Sequence, residues 1–486
     1  MRIQKLMHKS KVHWLGIAFA FCCPLLSSAQ NTSNGGGAIS LNDLSAFRPA
    51  GKSWQIAADV NADLDKTNVL KTTNGNGILV NMPDKKNHGA DLYTSAEHGD
   101  AELELDYMLA KGANSGIYLQ GNYEIQLLDS WGVKVPQAGD NGGIYERWDE
   151  SKPEGQKGYE GYAPRQNASK APGLWQHLKV AFQAPKFDAS GKKIANARML
   201  RVELNGVTIH ENVELLGPTR GAMGAEKATG PLRIQGDHGA VAFRNITLTN
   251  GVKVAQEGNN NRNPADPILV DAPVNTILRS FMDLPGEPRT RVVHAVSVGS
   301  PQQVHYTYDM DKGAVIQVWR GNFLDATPMW HERGDGSSRP AGAVQRFGQP
   351  AFALAKLGSS QAAWIADSAG TSYRPKGYTL DANDQPTFQY RIYGATISDA
   401  IRVLDNGQGL HRELTVQNPT GGELYARLAE GASIEEKSKG MFLVDGKSYY
   451  LRLDDAKGVK PMVRDANGRK ELVVPVRNKV GYSILF

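Results

Sequence analysis

Two short segments combine side chains that can transfer protons with side chains that bind oxygen atoms. In YEIQLLDS, Glu124 and Gln126 alternate with apolar residues, and in PLRIQGDHG, Arg233 and Gln235 do the same, with His238 following. Carboxylate and imidazole groups are common general acids and bases, and a guanidinium stabilises developing negative charge. The mixture also suits a sugar, whose hydroxyl groups need both donors and acceptors. We therefore expect a site for acid–base chemistry on a hydroxyl-rich substrate.

A third segment, AELELDY, places Asp106 on the same side of a predicted strand as Glu102 and Glu104. We include Asp106 with Glu124 and His238 among the candidate catalytic residues. Asn114 and Tyr145 lie in nearby glycine-rich segments and are candidate sugar-binding residues, as are Gln126, Arg233 and Gln235. Polar outer faces are common on sandwich strands, so the pattern alone is more typical of a solvated surface.

The elements that must position these residues are short strands. Between about residues 41 and 250, segments alternate polar and apolar residues with period two and end in Gly, Asn, Asp or Pro, which predicts strands and tight turns. LNG at 204–206 indicates a hairpin turn. Because no long amphipathic helix interrupts the series, we expect an all-β protein that begins with a β-sandwich or jelly roll.

Residues 268–486 have the same alternating texture and predict a second, accessory domain of the β-sandwich type. The polar segment 251–267 predicts a linker between it and a first domain at 41–250. Residues 30–40, QNTSNGGGAIS, predict a flexible tether. The sequence does not indicate the function of the second domain or the oligomeric state.

Residues 1–29 have the order of a secretory signal peptide: basic residues, an apolar stretch of limited length, and small residues before Gln30. We therefore expect export to the periplasm or the medium. No stretch of the chain is apolar for long enough to predict a transmembrane helix. Both cysteines, Cys22 and Cys23, lie in this leader, so no disulfide or thiol nucleophile is expected after its removal.

The charge of the chain gives no indication of a nucleic-acid partner. The formal net charge is +5, from 55 Lys and Arg against 50 Asp and Glu. Removing the four leader cations, Arg2, Lys5, Lys9 and Lys11, leaves 51 against 50. A chain so close to neutrality lacks the excess of basic residues that phosphate backbones attract.

Ordered motifs around the candidate residues resemble the 3-keto-disaccharide hydrolase family over about residues 50–250. These motifs are NSGIYLQGNYEIQLLDSWG (114–132), GGIYERW (142–148), NASKAPGLWQHLKVAFQAPKF (167–187), LNGVTIHENVELLGPT (204–219) and GPLRIQGDHGAVAFRNITL (230–248). The resemblance implies a concanavalin-like jelly roll with a concave sugar-binding face. It also implies cleavage of glycosides that carry a ketone at C3.

A C3 ketone acidifies the proton on C2, so that a base can form an enolate, which expels the C1 substituent before water adds. Such a site needs a base, an enolate stabiliser and an acid for the leaving group. A divalent cation held by His238, Glu124 and Asp106 could take the stabilising role, although their spacing forms no compact metal motif. The alternatives are a glycan-binding protein without catalysis and a conventional glycosidase on unoxidised glycans.

Overall fold

The computed structural model describes residues 36–252, 266–331, 334–359, 361–418, 423–454, 458 and 460–486. Among these residues the chain forms 34 strands and one helix of four residues, so the predicted all-β class is confirmed. None of the described residues belongs to a helix long and apolar enough to cross a membrane. The predicted signal peptide, most of the tether and most of the linker lie outside the described residues.

The first half of the chain contributes sixteen of the described strands. They are β1 (Gly37–Ala38), β2 (Trp54–Ala62), β3 (Leu70–Asn81), β4 (Leu92–His98), β5 (Ala101–Leu109), β6 (Asn114–Leu119), β7 (Tyr123–Leu128), β8 (Arg147–Trp148), β9 (Gly158–Tyr159), β10 (Gln176–Gln183), β11 (Lys186–Phe187), β12 (Lys193–Ala195), β13 (Ala197–Leu204), β14 (Val207–Leu215), β15 (Gly230–Ile234) and β16 (Val241–Asn250). Between β13 and β14, Asn205 and Gly206 both have positive φ, as a type I′ hairpin turn requires.

Two antiparallel sheets of this half pack face to face. The larger has the order β14-β13-β10-β5-β16-β3-β2, with β1 beside β16, and the smaller has the order β4-β15-β6-β7. Alternate residues of both sheets, such as Leu105 of β5 and Ile125 of β7, meet in one buried core. Because side chains alternate along a strand, their neighbours Asp106 and Glu124 point away from this core, each on its own sheet.

The second half of the chain is also built from strands. They are β17 (Leu269–Val270), β18 (Thr276–Leu284), β19 (Thr290–Gly299), β20 (Val304–Asp309), β21 (Ala314–Asp325), β22 (Ser337–Arg346), β23 (Leu354–Lys356), β24 (Arg374–Leu380), β25 (Pro386–Ile392), β26 (Ala395–Val403), β27 (Gly409–Gln417), β28 (Leu424–Gly431), β29 (Ile434–Ser438), β30 (Met441–Val444), β31 (Tyr449–Leu453), β32 (Met462–Ala466), β33 (Arg469–Val476) and β34 (Lys479–Leu485). The helix, α1 (Thr327–Trp330), lies between β21 and β22.

These strands form three larger sheets. One has the order β17-β21-β20-β19-β18-β22, and β22 also pairs with β21, which closes part of the sheet on itself. The others have the orders β23-β28-β33-β32 and β24-β25-β26-β27-β34-β31-β30-β29. A core of aliphatic and aromatic side chains is shared by the three sheets, and a smaller cluster around Trp319 and Phe323 lies within the first.

The two halves of the described chain pack closely together. Leu174 of the first half lies in one apolar cluster with Leu443 and Tyr450 of the second. The Trp131 indole donates a 2.9 Å hydrogen bond to the carbonyl of Phe486, and the Tyr450 hydroxyl donates to the carbonyl of Pro172. Residues 36–486 therefore form one compact unit, and the domain limits inferred from the sequence stay a prediction.

Candidate active site

A row of polar and aromatic side chains crosses the outer face of the four-stranded sheet. Tyr93 of β4 pairs with Arg233 of β15, which pairs in turn with Tyr118 of β6. Tyr118 pairs with Glu124 of β7. Residues that pair directly across antiparallel strands point to the same side of the sheet. Four different strands therefore bring these side chains to one surface.

The Glu124 carboxyl is the most buried acid of this face, with 2% of the residue exposed. It lies over Gly116 of the neighbouring strand, where any Cβ would overlap its Oε1 atom. The Tyr118 phenol hydrogen-bonds to it. Burial raises the pKa of Glu124 from its ordinary 4.5 to about 8, against the opposing effects of that hydrogen bond and of the Arg233 charge. The carboxyl is thus poised to gain or lose a proton near neutral pH.

Arg233 is held from four directions. Its guanidinium forms an ion pair with Asp91 and donates to the carbonyl of Gly221. It also lies 4.2 Å from the ring centroid of Tyr118 and 5.9 Å from that of Tyr93, within the range of cation–π attraction. Because its charge is matched by Asp91, Arg233 only partly offsets the burial of the nearby carboxyl. The structure places Arg233 on the face, but its donors are largely engaged within the protein.

Two amide side chains lie at the end of the face where β6 begins. Gln126 has its side chain 3.3 Å from that of Asn114. With the amide nitrogen turned toward β6, Gln126 donates at 3.1 Å to both Glu124 Oε1 and the carbonyl of Ser115. We refer to Asn114, Gln126, Gln235 and His238 together as the amide end of the face.

The last two members of the amide end follow β15. The backbone N–H of Gln235 donates at 2.9 Å to the carbonyl of Gly116, directly beside the position of the Glu124 carboxyl. His238 is half exposed, and its Nδ1 atom contacts both the Asp237 carboxylate and, at 3.3 Å, the Gln235 amide. An imidazole paired with a carboxylate is a usual arrangement for proton transfer, and its exposure leaves it accessible to a ligand.

Tyr145 extends the row beyond β7. Ile144 forms a bridge with Ile125, and the Tyr145 N–H donates at 3.1 Å to the carbonyl of Glu124. Residues 142–145 thus run antiparallel beside β7 through this isolated bridge, which places Tyr145 opposite Glu124. The buried His210 contacts the carbonyl of Gly142 at 2.8 Å and helps to fix this segment.

Asp106 does not belong to this site, and its assignment as a catalytic residue beside Glu124 is corrected. It lies on β5 of the other sheet, on the far side of the core. Its carboxylate accepts hydrogen bonds from Arg244 and Asn245 and contacts His177 at 2.7 Å. Burial opposes its ionisation, but these hydrogen bonds outweigh burial and lower the pKa of Asp106. Period-two alternation shows only that a residue points outward, not from which sheet, which is why the two acids looked equivalent.

Four residues of the face were missed by the sequence reasoning: Tyr93, Asp91, Gly116 and Tyr118. A usable signal existed for two of them, because Asn114, Gly116 and Tyr118 follow one another at alternate positions of a single predicted strand. Asp91 immediately precedes β4 and Tyr93 lies at its start. Only the observed pairing of β4 with β15 brings these two residues to Arg233.

The described residues include no group of three or more His, Cys, Asp or Glu placed to hold a metal ion. The predicted set of Glu124, His238 and Asp106 is divided between two sheets, so these three residues cannot form one such site.

The first half of the chain matches a known family model. Residues 37–249 match the 3-keto-alpha-glucoside-1,2-lyase-like domain. The resemblance inferred from the ordered motifs is confirmed. The match supports a carbohydrate-active function for this part of the chain, and the matched residues include the whole face around Glu124. A search of curated proteins found no match.

Solved structures with some similarity were also found. One protein of Parabacteroides distasonis ATCC 8503, provisionally described as a glycosyl hydrolase, is 25% identical and covers 44% of this chain and 84% of its own, with a TM-score of 0.28. A second from the same organism, with the same description, is 19% identical and covers 44% and 98%, with a TM-score of 0.28. The binding domain of botulinum neurotoxin serotype D is 7% identical and covers 92% and 97%, with a TM-score of 0.24. TM-scores this low do not establish a shared fold.

Proposed function

We propose that residues 37–249 cleave the glycosidic bond of 3-keto-glycosides by β-elimination, with Glu124 as the base that removes the C2 proton. The observation that carries the proposal is the Glu124 carboxyl, buried over Gly116 with a pKa of about 8. A C2 proton beside a ketone is acidic enough for such a base. A carboxylate with a raised pKa is also a stronger base than an ordinary glutamate.

The order of groups along the face matches three successive carbons of the sugar. With C2 at Glu124, the amide end faces the C3 oxygen, where Gln235 and His238 can donate hydrogen bonds to the enolate, while the Gln126 amide is engaged with Glu124 and Ser115. The Tyr118 phenol lies at the other end and faces the oxygen on C1. Burial, together with the adjacent Glu124, raises the pKa of Tyr118 far above its ordinary value, so it remains protonated until a strongly basic leaving group accepts its proton.

These groups account for each proton and electron pair that moves in the reaction. Glu124 takes the C2 proton, and the C2–H electron pair forms the C1–C2 double bond through the enolate. The C1–O bond breaks and its oxygen takes the Tyr118 proton. Glu124 then returns a proton to Tyr118 through the hydrogen bond between them. Addition of water across the double bond gives net hydrolysis, and release of the unsaturated ketone gives net lyase activity.

A direct test compares a 3-keto-glucoside that carries a chromogenic leaving group with its unoxidised parent. We expect release only from the keto-sugar, and exchange of C2 hydrogen with deuterium in D2O. Glu124→Gln should lower turnover by about a hundredfold or more, as loss of a general base does, and His238→Ala should also lower it. Release from both substrates would support a conventional glycosidase instead, and binding without release would support a glycan-binding module.

Export remains part of the proposal, since it rests on residues 1–29 alone. We expect the protein outside the cytoplasm, with a mature chain that starts near Gln30. N-terminal sequencing of protein recovered from the periplasm or medium tests this, and a cytoplasmic chain that retains residues 1–29 would contradict it.

A further inference from the structure

Arg220 lies at the Tyr118 end of the face, and its guanidinium stacks on an aromatic ring. Its carbonyl accepts a 3.4 Å hydrogen bond from the Tyr118 hydroxyl, and its N–H donates at 2.8 Å to the carbonyl of Glu146. The side chain then extends over Trp148, with the guanidinium carbon 3.5 Å from the ring centroid. The Arg220 backbone thus borders the site, and its side chain lies over Trp148 beside the Tyr118 end of the face. We refer to the surface formed by Arg220 and Trp148 as the lip of the site.

The Trp148 ring is itself fixed. It belongs to the hairpin of β8 and β9, and its Nε1 donates at 2.7 Å to Glu150, which also pairs with Lys157 at 3.1 Å. Stacking on an indole holds a guanidinium flat and leaves its N–H groups directed outward at its edge. Among the described residues, no side chain or carbonyl accepts a hydrogen bond from the Arg220 guanidinium.

We propose that Arg220, held on Trp148, binds hydroxyl groups of the leaving-group sugar and so favours two-ring substrates. This inference rests on the proposed function, which places the C1 oxygen at Tyr118 and therefore the leaving group next to Arg220. A neutral, hydroxylated ring fits this lip better than an anionic one because the Glu150 carboxylate, bound to the Trp148 indole, is near enough to interact electrostatically with Arg220. Hydroxyl groups can donate to an acid and accept from a guanidinium at the same time.

The test measures kcat and KM for a 3-keto-disaccharide and for methyl 3-keto-glucoside. Both substrates release an alkoxide, so they differ mainly in the second ring. We expect Arg220→Ala to reduce the preference for the disaccharide, as the ratio of kcat/KM values, by about tenfold and chiefly through KM, as for loss of one charged hydrogen bond at an exposed position. Trp148→Ala should act in the same direction because it removes the support of the guanidinium.

Two further variants keep the outcome interpretable. Arg220→Lys retains the charge without the planar group and should recover only part of the preference. Arg201→Ala removes an exposed arginine of the other sheet, paired with Glu203, and should leave the ratio unchanged. An unchanged ratio in Arg220→Ala, or full preference in Arg220→Lys, would overturn this inference alone. Failure of the unaltered protein to cleave either keto-substrate would overturn the proposed function and the inference with it.

Discussion

Replacing Glu124 with glutamine should stabilise the protein as well as stop turnover, and the stabilisation should grow with pH. In the folded state the carboxyl keeps its proton up to about pH 8, whereas its ordinary pKa is 4.5. Between these values the folded state binds more protons than the unfolded chain, so the free energy of unfolding falls as pH rises. Glutamine has no charge to bury, so the variant should not show this fall.

The size of the effect follows from the same pKa. At about 1.4 kcal/mol for each pKa unit, a rise from 4.5 to about 8 corresponds to a difference of up to about 5 kcal/mol above pH 8. The measured gain should be smaller, because the buried glutamine amide needs hydrogen-bond partners of its own. Below about pH 4.5 the two proteins should have nearly equal stability.

Denaturant unfolding of both proteins at several pH values between 4 and 9 measures this difference. Glu211→Gln is a matched control, since Glu211 is 59% exposed and pairs only at the surface with Arg165; its stability difference should stay small and flat. A flat difference for Glu124→Gln as well would show that the Glu124 pKa is not raised. A difference that falls with pH would show that the carboxylate is the favoured form in the folded protein, contrary to the reasoning above.

Three other changes test the arrangement around Glu124. Gly116→Ala should lower kcat at least tenfold, because its Cβ overlaps the carboxyl position, whereas Gly358→Ala, with open space around its Cβ, should not; equal activity of both would contradict the positioning role of Gly116. For the unaltered enzyme, kcat/KM should rise with pH up to about 8. In Tyr118→Phe the midpoint of this rise should move to a pH higher by about one unit, because a hydrogen bond to the Glu124 carboxylate is lost. An unchanged midpoint would show that Tyr118 does not stabilise the Glu124 carboxylate. Asp106→Asn should retain turnover but lose about 1–3 kcal/mol of stability at neutral pH. This loss should shrink as pH falls through the lowered pKa of Asp106. Loss of turnover in a folded variant would show that Asp106 takes part in the active site after all.

The fold class could be predicted because the local pattern determines it almost alone. Period-two alternation, as in AELELDYML, appears in the structure as alternating burial along β5, and the Asn205-Gly206 pair forms the turn that its conformational preferences require. The closure of the β17–β22 sheet was not predictable in this way. It depends on the parallel pairing of β18 with β22, a contact between distant segments that leaves no periodic signal in either strand.

The site could be predicted in part, for the same reason. Alternation correctly placed Glu124, Gln126 and Arg233 on outward faces, and the ordered motifs indicated that their strands belong together. Alternation could not separate Glu124 from Asp106, because both are outward acids on amphipathic strands. The difference arises from neighbours on other strands. Asp106 is paired directly with Arg244, whereas Glu124 is buried over a glycine and its nearest cation, Arg233, is paired with Asp91.

That contrast explains how one of two similar carboxylates acquires chemistry. A side chain at Gly116 would push the Glu124 carboxyl toward solvent, where its pKa would return toward the ordinary value. Without Asp91, the unmatched Arg233 charge would favour the ionised form. The glycine and the aspartate each oppose ionisation of Glu124, so its raised pKa depends on residues from two other segments. We therefore expect Asp91→Asn to shift the rising limb of the pH–rate profile to lower pH. Asp283→Asn, which removes a partner of Arg291 in the second half, should leave that limb in place. Equal profiles for the two variants would show that Asp91 does not control the Glu124 carboxyl.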